Sequence, residues 1–338
     1  MRPRPALDAF QQRHPWLGLP IAILYKYVDD QGGYLAALIT YYGFVSIFPL
    51  LLLGVTILGF VLHGNPHLQE QILGSALSQL PIIGQQIQSN LPGFTGSGVA
   101  LFIGIIGTLY GGLGVAQAGH HAMNSVWAVP RNERLNPLKS RLQSLALLAT
   151  LGLGVVATTL LSGLTTSADS FANSFHLGLL TRGLAIGLSL ALNIGLFIAA
   201  FRLLTDRAVT IHDILIGAVT AAVAWQILQT VGTYFVGHQK STSAYGTFGA
   251  VLGLLAWIYL EAVVVVLCAE LNVVVRRGLW PRALLAPFIE DAELTPADEL
   301  AYTSYVRAQR RKGFQHIDIR FGSAAEEPTS EPGKPGVT

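Results

Sequence analysis

Long, nearly uncharged apolar runs alternate with short polar segments from Tyr34 to Val275. The runs cover Tyr34–Leu62, Val99–Ala118, Leu142–Leu164, Gly178–Phe201, Ile211–Val236 and Tyr245–Val275. Each matches the ~20 residues that a helix rising 1.5 Å per residue needs to cross about 30 Å of hydrocarbon. The pattern predicts an all-α polytopic membrane protein with six transmembrane helices, the first bent near Pro49. Two shorter stretches read as interfacial helices. Trp16–Val28 places Ile21, Leu24, Tyr25 and Val28 at helical spacing, with Lys26, Asp29 and Asp30 on or beyond the other side. Leu68, Ile72, Leu73, Ala76, Leu77 and Leu80 share a face before Pro81. The expected organisation is an N-terminal segment with its interfacial helix (1–33), a six-helix membrane domain (34–276) and a tail (277–338). The Pro/Ser/Glu/Gly-rich end of that tail is expected to be disordered.

Composition agrees with this pattern. The chain is 51% hydrophobic and 12% charged, with a mean hydropathy of +0.51, whereas a soluble domain holds about a quarter charged residues. Of its 21 Lys and Arg residues, only Arg182 and Lys240 fall in segments on the side opposite the termini. The positive-inside rule therefore puts both termini in the cytoplasm. The same sorting explains the basic residues without nucleic acid. Arg307, Arg310, Arg311 and Lys312 read as a solvated charge run. Cys268 is the single cysteine, so no intrachain disulfide or cysteine metal framework is available.

Two acids interrupt the last apolar run. Glu261 falls at its midpoint, where a carboxylate is costly unless it is paired or functional, and it is the leading candidate for intramembrane chemistry. Asn193, Gln226, Gln229, Thr230 and Tyr259 are its candidate partners. Glu270 lies toward the terminal side, where Arg202 and Arg207 also end a span, and a structural ion pair is expected. Nine positions at 100° each place the two acids on nearly opposite faces, so they do not read as a carboxylate pair. His120 and His121 are adjacent and cannot face one ligand together, and His212–Asp213 carries no more weight. Phosphate-loop, serine-hydrolase and zinc-protease motifs are absent from the sequence. No catalytic residue, metal or cofactor is expected, and the chain does not read as an enzyme.

Several stretches resemble the YihY/BrkB family of bacterial inner-membrane proteins, formerly mislabelled ribonuclease BN. The first span carries Tyr41-Tyr42 and Ser46-Ile47-Phe48-Pro49-Leu50. Asn124-Ser125-Val126-Trp127 is followed by Pro130-Arg131. The last span carries Tyr245-Gly246-Thr247, Trp257-Ile258-Tyr259-Leu260 and Ala269-Glu270-Leu271-Asn272. Glu270 falls on the family's acid, Cys268 stands where the family usually has glycine, and Glu261 lies outside the pattern. The resemblance implies six spans, cytoplasmic termini and a role in the cell envelope. The expected activity is transport or flipping of a lipid or envelope precursor, with a non-transporting scaffold as the alternative and a membrane nuclease third. Membrane lipids are the expected partners, self-association is left open, and no nucleic acid is expected.

Overall fold

The computed structural model describes residues 6–61, 98–154, 178–238, 246–288 and 292–322. Every regular element among them is a helix. In chain order these are α1 (Ala6–Arg13), α2 (Pro15–Asp29), α3 (Gly32–Val61), α4 (Gly98–Val126), α5 (residues 137–154), α6 (Gly178–Leu203), α7 (Ile211–His238), α8 (Gly246–Arg277) and α9 (Pro296–Ala308). Five of them, α3, α4, α6, α7 and α8, are long and apolar enough to cross a membrane. The predicted third span is helical over 142–154, and its remainder lies outside the described residues, as do the 63–97 stretch with its predicted interfacial helix, Tyr245 and the chain beyond 322.

The bundle turns its apolar side chains outward. Only 6% of the apolar window of α6 is buried, and Leu184, Ile186 and Leu188 are exposed along it. Helices with internally satisfied backbones and apolar exteriors suit hydrocarbon, where water would penalise so large a patch.

α8 is the hub, packing against α2, α3, α4 and α7, while α4 lies along α3 and α6 along α7. Glycine sets the α3–α4 distance. A Cβ on Gly107 would fall 2.6 Å from Pro49 Cβ, and one on Gly111 2.6 Å from Ser46 Cα. Without a strong hydrophobic drive between helices in lipid, such close backbone approach supplies the packing energy. Gly183 and Gly187, which share the same four-residue spacing, would meet nothing within 4 Å and make no such contact in this chain.

α1, α2 and α9 close one end of the bundle, called here the terminal face. α2 forms over the predicted stretch, with Pro15 in its first turn, and its two sides are sorted by what they meet. Lys26 is 1% exposed, whereas Leu24 and Val28 are 55% and 70% exposed. The charged side points into the protein and the apolar side out. α9 forms within the predicted tail. Thr295 and Asp298 make a reciprocal capping box at its start, which satisfies helix N–H groups left without intrahelical partners.

Candidate functional site

Polar side chains gather where α2, α4, α8 and α9 meet. α4 ends at Val126, and Ala128 takes a left-handed conformation (φ 47°), closed by hydrogen bonds from Trp127 N to Met123 O and from Val129 N to Asn124 O. This turn leaves helix carbonyls without partners, and two cations take them. Lys26 Nζ donates to Val126 O at 2.9 Å, and Arg277 Nη2 donates to Trp127 O while its guanidinium stands 5.9 Å from the centre of the Trp127 ring.

Lys26 is fully enclosed. Its ammonium pairs with Asp30 one turn along α2 and stands 3.0 Å from Glu270 Oε2 on α8. Burial works against the ammonium charge, but Glu270 and Asp30 outweigh it and hold the lysine above its ordinary range. Burial raises Asp30, with Lys26 opposing it. The expected ion pair of Glu270 is therefore present, but neither Arg202 nor Arg207 makes it. Both arginines are exposed.

A second buried cation, Arg282, joins the termini. Its Nε donates to Asp298 Oδ1 on α9 and its Nη1 to Asp29 Oδ2 on α2, both at 2.7 Å. Its guanidinium lies 5.4 Å from the centre of the Tyr302 ring and 5.9 Å from that of Tyr25, and its carbonyl accepts from Gln11 on α1. Burial opposes this charge as well, and the two aspartates overcome it, so the guanidinium is held above the usual arginine range. Tyr305 of α9 donates to Asp29, and burial raises its phenol far above the ordinary value.

Two further polar joints lie at the same end. Asn124 and Asp206 form a closed pair: Asn124 Nδ2 donates to Asp206 Oδ2 at 2.8 Å and Asp206 N donates to Asn124 Oδ1 at 3.0 Å. His120 Nδ1 stands 3.6 Å from Asp206 Oδ1. On α8, Asn272 Oδ1 accepts from Gly217 N of α7 at 2.7 Å, an approach that a side chain at 217 would block.

Asn124, Trp127, Glu270 and Asn272 thus converge on the terminal face, while Arg131 enters it through its backbone N–H, which donates to Ala308 O. Lys26, Asp206, Arg282 and Asp298 complete the network, and no local spacing in the sequence pointed to them. For Lys26, Asp206 and Arg282 the one signal is a charge a short way outside a predicted span, whereas Asp298 lies well into the tail.

The remaining candidates lie elsewhere. Glu261 accepts from Trp257 Nε1 of its own helix at 2.7 Å. Asn193 lies half-buried on α6, Gln226 is exposed on α7, and Gln229 lies on the same helix. Gly246 begins α8. Tyr41 packs edge-on against Tyr42, and the Tyr42 ring covers Gly114. Tyr41 and Tyr259 border a cleft of about 370 Å³ between α3 and α8, whose walls include Phe44, Leu252 and Leu255. Thr40 also lines it, but its hydroxyl is spent on Ala36 O, so the surface is almost wholly apolar. Among the described residues, no three His, Cys, Asp or Glu side chains stand together as a metal site.

A family model described as virulence factor BrkB matches residues 23–283. The inner membrane protein YhjD of Escherichia coli (strain K12) is 24% identical over 278 residues, covering 76% of this chain and 81% of its own. YfkH of Bacillus subtilis (strain 168), whose name describes a ribonuclease-like protein, is 23% identical over 75% of this chain and 93% of its own. A UPF0761 membrane protein of Psychrobacter sp. (strain PRwf-1) is 27% identical over 77% of this chain and 48% of its own. No solved structure matches.

Proposed function

Because this chain belongs to the BrkB family of integral membrane proteins, we propose that it works in the bacterial inner membrane by moving a lipid or amphipathic envelope precursor across or within the bilayer. The observation that carries this reading is the α3–α8 cleft, an apolar recess inside two spanning helices with tyrosines at its border. Its size suits an acyl chain, and Tyr41 and Tyr259 offer hydroxyls to a headgroup at its border, while Glu261 lies on another face of α8 as a separate candidate polar group. Protein reconstituted in liposomes should accelerate translocation of a labelled native lipid. Leu255→Trp, which fills the cleft, should slow it, and Glu261→Gln should change its rate. Absence of acceleration with every native lipid tried would refute the reading.

The Lys/Arg distribution supports cytoplasmic termini. Cys268 is buried, so it contributes little background to cysteine labelling. Phe314→Cys should label from the cytoplasmic side and Gly98→Cys from the other, since both positions are exposed.

A scaffold for envelope assembly is the second reading, favoured by Leu300 and Val306, which α9 leaves exposed. If the scaffold reading holds, replacing both with serine should abolish partner capture, and the parent protein should move no lipid in liposomes. Deleting α9 is a poorer test, because it removes Asp298 from Arg282.

A further inference from the structure

Three segments close on the end of α4, and each brings an arginine. Asn124 and Trp127, three positions apart, lie on one side of the last turn. Asn124 Oδ1 accepts from Asp206 N at 3.0 Å, which fixes the backbone beside Arg207, and Trp127 O accepts from Arg277 Nη2. Val129 O accepts from Arg134 Nε at 3.2 Å. Leu135 N donates to Asp206 Oδ2 at 3.1 Å, so the α4–α5 and α6–α7 connections meet at the same place. The protein itself leaves these charges unbalanced. Among the described residues, no carboxylate stands within ion-pairing distance of Arg134, Arg207 or Arg277. The acid in their midst is Asp206, whose Oδ2 is taken by Asn124 and Leu135 and whose Oδ1 faces His120. Asp30 is paired with Lys26, and Glu133 with Arg310. Arg207 and Arg277 act on one another as like charges. Arg134 uses only Nε, so both of its Nη nitrogens are open donors.

We infer that the end of α4 carries a phosphate-binding site, in which Arg134, Arg207 and Arg277 take the phosphate of an anionic lipid headgroup or of a soluble phosphate compound. A guanidinium presents paired donors that match phosphate oxygens, and a phosphate among three of them replaces repulsion with charge-assisted hydrogen bonds. The Val129 and Trp127 carbonyls hold two of the guanidiniums in place before any ligand arrives. The apolar spans that end at Val126, Leu203 and Arg277 all stop around this point, which is the depth of lipid headgroups. None of these arginines lines the α3–α8 cleft, so a phosphate is held here whether or not the protein moves lipid.

Native mass spectrometry of the full chain tests it, with phosphatidylglycerol as the anionic lipid, phosphatidylcholine as the lipid without net charge and inorganic phosphate as the soluble probe. Phosphatidylglycerol or inorganic phosphate should bind the parent protein, and Arg207→Gln should weaken that binding about tenfold through loss of one charge-assisted contact. Arg207 is exposed and makes no hydrogen bond or ion pair with the described residues, so this variant removes a ligand contact without disturbing the fold. Arg13→Gln, which removes an exposed charge from α1, should leave the affinity unchanged. Bound phosphatidylglycerol that outlasts an excess of inorganic phosphate identifies a lipid headgroup as the occupant, and Arg207-dependent binding of inorganic phosphate alone identifies a soluble one. Binding of phosphatidylcholine as tight as that of phosphatidylglycerol with no binding of inorganic phosphate would overturn the site. So would equal losses in Arg13→Gln and Arg207→Gln, or no loss in Arg207→Gln.

Discussion

The Lys26 ammonium of α2 stands 3.0 Å from the Glu270 carboxylate of α8, joining a helix at the start of the chain to the central helix of the bundle. The same nitrogen donates to the last carbonyl of α4. Lys26→Met keeps the length of the stem but leaves a buried carboxylate unpaired and the Val126 carbonyl without its donor. Truncating one partner of a buried pair costs about 3–5 kcal/mol. A large drop in the thermal midpoint of purified protein is the expected outcome, and an unchanged midpoint would show that the pair does not hold α2 in place.

Arg282 carries the junction of both termini. Arg282→Met should likewise destabilise by about 3–5 kcal/mol, and limited proteolysis should then cut between Leu279 and Thr295, where α9 is anchored. Arg282→Lys keeps one charge but cannot present a planar fork to Asp29 and Asp298 together, so it should restore only part of the protection.

The α3–α4 seam separates glycines that pack from glycines that do not. Gly111→Ala puts a methyl group 2.6 Å from Ser46 Cα, a backbone atom that cannot rotate away. Overpacking of this kind costs about 1–3 kcal/mol. Gly183→Ala, whose added carbon meets nothing within 4 Å, should be neutral or slightly stabilising, since alanine favours the helix. Paired denaturation curves of the two variants distinguish specific packing from a general intolerance of side chains.

Stability should decline above pH 10. Tyr25, Tyr302 and Tyr305 are raised from 10.0, mainly by burial, and Lys26 is raised from 10.5 because its acidic neighbours outweigh burial. In each case the folded protein holds its proton at a pH where the unfolded chain releases it. Unfolding is therefore favoured progressively as pH rises through and beyond these unfolded-state values. Melting temperatures should be level between about pH 8 and pH 9 and fall from about pH 10. Tyr305→Phe, which cannot ionise, should show a shallower decline than the parent protein.

The sequence by itself determined the spans, because a helix in lipid must hide its backbone and show some twenty apolar residues, and no tertiary contact changes that requirement. It also located the dense glycines of α4 and the ends of α6, α7 and α8 to within two residues of their positions. Tertiary structure alone decided what the charges meet. Helical periodicity places Lys26 opposite Leu24 and Val28 but does not say which side faces the protein. Beside lipid the apolar side turns outward, and Lys26 on the other side becomes one of the most buried of the described residues. Glu270 could have paired with any cation near that end of the bundle. Which one it met depended on α2 folding back against α8, a contact between distant segments that no local pattern encodes.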